Sequence, residues 1–372
     1  MRNNKGKLVI LGVLVLALAV TGLLLSRKTS QKGKPIAGTS FSLMTTIYDL
    51  KTPLGIAVDG DENIYVSDTG NSQIVRYDRD GVMQFKLGSV TDDKGQEMKF
   101  FSPYGIAVDD ANNKVYVCDY QLHVLDKAGN FLYNLTPPPE AIKNAPGEGA
   151  ARPNEVAVYK DKVYVTSRDG IYVLDDKGNY LTHWGTRGAA VGQFDFPNGI
   201  AVDPETGNLF VVDTNNWRLV SLTPEGKTRW AIGNWGDANI GSPFHLPRSV
   251  AFGPGGLIYV SDVPDRILVL DTDGNLKAII GERGDQDAQL NFPEGLAVSP
   301  ANRLFLDDRE NDRVQVWQLT DNLPLPSTAE VDKFNKAKRS FDASGKQVVS
   351  GGTSTTPAGS GAAGTTAPAA GR

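Results

Sequence analysis

The sequence predicts an all-β chain, a six-bladed β-propeller carried behind a single N-terminal transmembrane helix. Three observations predict it. A proline-led segment of alternating and apolar residues recurs six times between residues 51 and 320. Glycine (40) and proline (21) are abundant, as many short strands joined by tight turns require. Residues 8–25, LVILGVLVLALAVTGLLL, carry no charge at all.

The N-terminal segment divides into a short basic tail at 1–7, the apolar run at 8–25 and a polar tether at 26–40. At about 1.5 Å per residue the apolar run reaches about 27 Å, close to the hydrocarbon thickness of a bilayer. Leu23, Leu24 and Leu25 follow the best small-residue site, Val20-Thr21-Gly22, so the run reads as an uncleaved anchor rather than a removable signal peptide. Basic residues flank it on both sides, Arg2, Lys5 and Lys7 before, Arg27, Lys28, Lys32 and Lys34 after, and the charge bias does not decide its orientation. A short N-terminal tail ahead of such a run usually stays in the cytoplasm, which places the propeller on the extracytoplasmic side.

The six units are led by Pro53, Pro103, Pro153, Pro197, Pro247 and Pro293. Each holds three strand-length runs and most add a fourth, such as MQFKLG, YLTHWG, TRWAIG or LKAIIG. Four antiparallel strands per period of about 40–50 residues is the signature of a propeller blade. Asp-x-x-Gly sequences such as Asp78-Arg79-Asp80-Gly81 and Asp271-Thr272-Asp273-Gly274 separate the third and fourth runs. They look superficially like calcium loops. They recur blade after blade without a distal glutamate, so they read as hairpin turns.

The sixth unit ends after VQVWQLTDNLPLP with no fourth run. Residues 41–48, FSLMTTIY, have no other blade to join and are predicted to complete it, closing the ring and removing an exposed edge. The propeller then spans 41–325. The C-terminal segment 326–372 becomes rich in Gly, Ser, Thr, Ala and Pro, and from about 342 it is expected to be low-complexity and disordered.

Units reading Pro53-Leu54-Gly55-Ile56-Ala57-Val58-Asp59, then Tyr65-Val66-Ser67-Asp68, then Asn71-Ser72-Gln73-Ile74 resemble the NHL-repeat family of six-bladed propellers. The resemblance covers about residues 41–320. Blade three departs from it with Glu155 at the glycine position and Ser167 at the aspartate position, and blade five has Ser249 at the glycine position.

Composition excludes some partners. Charged residues make up 22% and the net charge is −5, so nucleic acid is not an expected partner. Cys118 is the single cysteine, lies in a strand-like run, and reads as a buried inert thiol. Asp68, Asp119, Asp213 and Asp262 each close a second strand, and Asp307 or Asp308 continues the series. An aspartate wanted in nearly every blade is explained by structure, its carboxylate accepting backbone N–H bonds at a turn. His123, His183 and His245 fall at unlike repeat positions and are not expected to share a metal, unlike the histidines of peptidyl-amide lyase propellers. The tryptophans at 184, 217, 230, 235 and 317 read as packing between blades.

One set of positions varies while keeping its place in the repeat. It lies between the proline and the glycine at the start of the innermost strand: Leu54, Tyr104, Asn154, Asn198, Arg248 and Glu294. In a propeller these side chains ring one mouth of the central channel, and Tyr104, Asn154, Asn198, Arg248 and Glu294 are the candidate ligand-binding residues. Gluconolactonase-like propellers, which this chain distantly resembles, hold a divalent cation near such positions. Glu294, Asn198 and Asn154 are similar to part of that set, while Arg248 opposes cation binding, and an Arg248–Glu294 ion pair is favoured over a catalytic metal.

No catalytic residue, metal ligand or required cofactor is assigned. Two functions stay open. The first is a membrane-anchored, extracytoplasmic binding or scaffold module whose partner is a protein or a carbohydrate, with long insertions such as 91–100 and 137–150 presenting the site. The second is a metal-dependent hydrolase or lyase of the gluconolactonase-like kind, which would need a divalent cation. The missing third carboxylate and histidine cluster favour the first.

Overall fold

The structure, a computed structural model, describes residues 31–32, 41–92, 94–135, 152–234, 241–320, 322–342 and 344–348. The predicted anchor at 8–25 lies outside the described residues, and among those residues no helix is long and apolar enough to cross a membrane. The insertion expected at 137–150 and Trp235 also lie outside them.

Each repeat folds as an antiparallel four-stranded blade. Blade one comprises Gly55–Val58, Ile64–Asp68, Gln73–Tyr77 and Met83–Leu87, paired in that order. Burial falls from the axis outward: every residue of Ile64–Asp68 is buried, whereas Met83–Leu87 is mostly exposed. The second strands are apolar on both faces because each blade packs a neighbour on either side. Among the described residues the core accordingly divides into six apolar clusters, one at each seam between neighbouring blades. At the seam of blades six and one, for example, Phe305, Val314 and Val316 meet Ile56, Ile64 and Val66.

The Asp-x-x-Gly sequences are hairpin turns. Asp78 Oδ1 accepts the Asp80 and Val82 N–H groups at 3.0 and 2.9 Å, and Gly81 takes φ of 80°. Asp271 and Gly274 repeat the arrangement. The carboxylate holds the turn while glycine supplies the left-handed residue.

Phe41–Ile47 pairs antiparallel with Arg313–Leu319, forming the outermost strand of blade six. Its packing is specific: Phe41 stacks on Trp317 with ring centroids 4.1 Å apart, and Leu43 and Ile47 are buried. Within the stretch read as a tether, Gln31–Lys32 adds two residues of pairing to that strand.

The C-terminal segment is described as far as residue 348. Helix Thr328–Ala337 is followed by a hairpin, Lys338–Phe341 and Gln347–Val348, that extends blade four beyond its strand Thr228–Gly233. A capping box between Ser327 and Glu330 starts the helix. Phe334 and Ala337 bury against blades four and five, with Phe334 edge-on to Phe244 at 5.4 Å. Asp342 and Gly345, with φ of 81°, form one more Asp-x-x-Gly turn. An unpaired outer strand of a blade accepts a further strand, and this hairpin takes up that edge. Residues 349–372 lie outside the described residues.

Deleting residues 41–48 removes three buried apolar side chains and a full ladder of backbone hydrogen bonds, a loss of roughly 5 kcal/mol or more. Urea denaturation of the deletion variant beside the intact chain measures it. Equal midpoints would mean that the strand does not close the ring.

Candidate functional site

The innermost strands converge tightly, and four of the six carry a glycine at their start. A Cβ on Gly55 would collide with the carbonyl oxygen of Tyr104 in the next blade, and one on Gly199 would lie 2.8 Å from the Ser249 Cα. The residue just before each glycine therefore stands at the rim of the axial channel. Tyr104, Arg248 and Glu294 meet there, although they come from blades two, five and six. Arg248 Nε donates to Glu294 Oε1 at 2.6 Å, Arg248 Nη2 donates to Tyr104 Oη at 2.9 Å, and Tyr104 Oη donates to the same Glu294 oxygen at 2.8 Å. Blades two and five stand opposite each other in a six-fold ring, so this bridge crosses the channel.

The rest of the ring is less committed. Asn154 Nδ2 donates to the Pro197 carbonyl at 3.1 Å, tying blade three to blade four. Asn198 is 4% exposed and its amide makes no hydrogen bond among the described residues. Glu294 is 1% exposed, and its Oε2 makes no hydrogen bond among the described residues; Arg309 Nη1 lies 3.7 Å from it. Arg309 itself lies over the Phe292 ring at 4.7 Å. Buried polar atoms without partners are rare in folded proteins. Glu294 Oε2 is one of them.

Deeper along the strands lie two further acids. Asp307 has neither carboxylate oxygen paired, and burial, reinforced by the charge of Glu294, pushes its carboxyl well above the usual range. Glu155 stands where other blades have glycine or serine; burial pushes it up to about 8, against the pull of the Val156 and Ile106 N–H groups. The axis thus carries a charged bridge above two acids that favour their neutral forms. A separate cleft of about 660 Å³ opens between the first turns of blades four, five and six, lined by Phe252, Pro254, Val298 and Asp203. Asp203 is engaged within its own turn by Glu205 N–H and Thr206 Oγ1, so the mouth holds the less satisfied polar chemistry.

Comparison with known proteins decides the repeat type. The NHL repeat matches residues 50–77 and 194–220, which fall in blades one and four. The chain is a six-bladed propeller of NHL repeats. It is 25% identical over 215 residues to Teneurin-m of Drosophila melanogaster, covering 44% of this chain and 8% of that protein. It is 30% identical over 115 residues to the E3 ubiquitin-protein ligase NHLRC1 of Homo sapiens, covering 31% of this chain and 27% of that protein. The chain therefore spans well under two thirds of either relative. Among solved structures, a gluconolactonase from Xanthomonas campestris superposes with a TM-score of 0.54 at 16% identity, over 78% of this chain and 98% of that one. That likeness is one of fold.

In the NHL propeller the recurring aspartates are Asp68, Asp119, Asp213, Asp262 and, in blade six, Asp308. Each accepts a backbone N–H from the loop that leads into its own blade: Lys51, Phe101, Asp195, His245 and Asn291 donate at 2.6–2.9 Å. They serve the fold. The three histidines lie in separate blades, with His123 bonded to Asn134 at 2.8 Å, His183 against Tyr172 and His245 exposed. Cys118 is buried, and burial pushes its thiol up. Trp184, Trp230 and Trp317 pack against neighbouring rings, but Trp217 is 43% exposed. Reading every tryptophan as packing missed it, because exposure is set by the turn it occupies.

Two outcomes follow. Arg248→Ala and Glu294→Ala should each destabilise by about 3 kcal/mol, since each leaves a largely buried charge unpaired, and the double change should cost less than their sum. Chemical denaturation of the four proteins reads the coupling; additive losses would mean the bridge has no energetic reality. A carboxyl raised in the folded state contributes stability that is complete below its unfolded value and is lost as pH rises through the folded one. For Glu155 that window runs from 4.5 to about 8. Thermal melts from pH 5 to 8 should therefore show falling stability, and Glu155→Gln should gain on the parent chain as pH rises. A pH-independent difference would place the Glu155 carboxyl in water.

Proposed function

We propose that this NHL propeller is a membrane-anchored binding module that presents its channel mouth on the extracytoplasmic side to a polar ligand or partner. The observation that carries the reading is the mouth itself. Tyr104, Arg248 and Glu294 hold one another, yet Glu294 Oε2 and the Asn198 amide make no hydrogen bond among the described residues. A preorganised polar set with unused donors and acceptors is what a recognition site requires. The net charge of −5 favours a partner other than nucleic acid. Anchoring rests on the uncharged run 8–25 and sidedness on its short basic tail.

A metal-dependent hydrolase is the weaker reading. A divalent cation at Glu294 would have to displace Arg248, whose guanidinium already bonds the Oε1 atom. Repulsion between guanidinium and metal opposes that exchange.

Protease added to intact cells should cut within residues 349–372 and leave the propeller resistant. Cleavage of the segment only after lysis would place the propeller on the cytoplasmic side. For the mouth, Asn198→Ala should abolish ligand binding without lowering the melting temperature, because its amide makes no hydrogen bond among the described residues.

A further inference from the structure

Blade four carries an oddity that neither packing nor the repeat explains. The residue before the leading proline takes a left-handed conformation in three blades: Thr52 at φ 47°, Phe196 at 59° and Phe292 at 65°. A second left-handed position closes the turn after the second strand, at Ser72, Trp217 and Asp312, with φ of 52°, 46° and 51°. The backbone demands this geometry whatever the side chain. Small polar residues such as Asp tolerate it best, whereas a bulky aromatic there is an outlier that surrounding structure must hold in place.

Blade four puts aromatics at both positions. Phe292 has a use for its ring, since Arg309 lies over it. Phe196 and Trp217 are 42% and 43% exposed, and neither ring has a stacking or cation partner among the described residues. The two are fixed relative to each other. The Asn215 N–H donates to the Asp195 carbonyl at 3.1 Å, and the Asp195 N–H donates to Asp213 at 2.8 Å, so the loop bearing Phe196 is tied to the turn bearing Trp217. Arg218 grips the same loop through the Gln193 carbonyl at 2.6 Å. Phe196 stands two residues before Asn198, the buried amide without a partner at the mouth.

We infer that Phe196 and Trp217 form an aromatic platform for a saccharide whose hydroxyl groups reach Asn198 and Glu294. The inference rests on the mouth being a binding site and adds the class of ligand. Exposed rings held against a conformational penalty point to stacking, and a sugar ring offers a flat C–H face to stack while its rim carries hydroxyls that both donate and accept. The unused groups at the mouth match that rim: Glu294 Oε2 can only accept, and the Asn198 amide does both. A phosphorylated or polyanionic ligand would meet the Glu294 carboxylate. A neutral polyhydroxyl ligand meets no such repulsion and is compatible with an Arg248–Glu294 pair whose charges cancel.

The test uses the full chain in a detergent without a sugar headgroup, titrated with cellohexaose, maltohexaose and chitohexaose and followed by tryptophan fluorescence and calorimetry. At least one should bind saturably. Trp217→Gly and Phe196→Gly should each weaken it about tenfold or more while melting temperatures hold or rise, because glycine relieves the left-handed strain. Trp217→Asn, which also tolerates that conformation, guards against a glycine variant that loosens the loop. Absence of binding by all three sugars at about 10 mM overturns the inference, as does binding unaltered by both aromatic substitutions. Asn198→Ala separates the two levels of the argument. Binding lost with Asn198→Ala but indifferent to the rings keeps the mouth and removes the platform, while the reverse removes the mouth as the place of recognition.

Discussion

The structure depends on one repeated interaction, the buried aspartate at the end of the second strand. Its carboxylate captures a backbone N–H from the loop leading into the blade, 16 to 18 residues earlier in the chain, as with Lys51 on Asp68, Ser102 and Phe101 on Asp119, and Leu246 on Asp262. A charged acceptor in low dielectric makes such bonds roughly twice as strong as neutral ones. In blades four to six the same carboxylates also hold Arg218, Arg266 and Arg313. Burying an ion pair is costly unless its remaining donors are satisfied. They are: Arg313 reaches the carbonyls of Asp285, Gln286 and Gln289, so each pair staples a connecting loop to the top of its blade. The mouth is rigid because the loops that frame it are held from below.

That dependence explains what was legible in the sequence. The aspartates, prolines and glycines recur because each blade needs them in the same place, and a recurring need is visible without coordinates. The closing strand was legible for a complementary reason: Phe41–Ile47 was a strand without a partner and blade six was a blade without a strand. Helix Thr328–Ala337 and its hairpin were not read, although Ser327-x-x-Glu330 and Asp342-x-x-Gly345 stand in the sequence. Its apolar contribution is short, chiefly Phe334 and Ala337, and only the groove between blades four and five makes those residues core. Composition over a window dilutes so brief a signal.

The candidate site divides along the same line. The ring of variable positions was legible, because a position that varies inside a constant frame is freed from packing. The Arg248–Glu294 contact joins adjacent blades and could be expected from opposite charges at matching positions. Tyr104 entering that pair from across the channel could not, since it lies 144 residues from Arg248 and 190 from Glu294. The unused Asn198 amide and the exposure of Phe196 and Trp217 are properties of geometry, invisible until the loops are placed.

Packing and variation are separated here by a single peptide unit. Where glycine begins an inner strand, the carbonyl or Cα of the next blade fixes it, so at Gly55, Gly199 and Gly295 there is no freedom to vary. The preceding residue has its backbone held by the same contacts, but its side chain lies outside that packing position and differs from blade to blade. Rigid placement with free chemistry is the condition under which a site evolves without unfolding its scaffold. Glu155 shows where that separation fails. A carboxyl placed at the packing position itself meets Gly105 of blade two and is driven toward its neutral form by burial. The charge that this axis tolerates is the one displaced by one residue toward the mouth, where Glu294 can hold Arg248 and still leave an oxygen free.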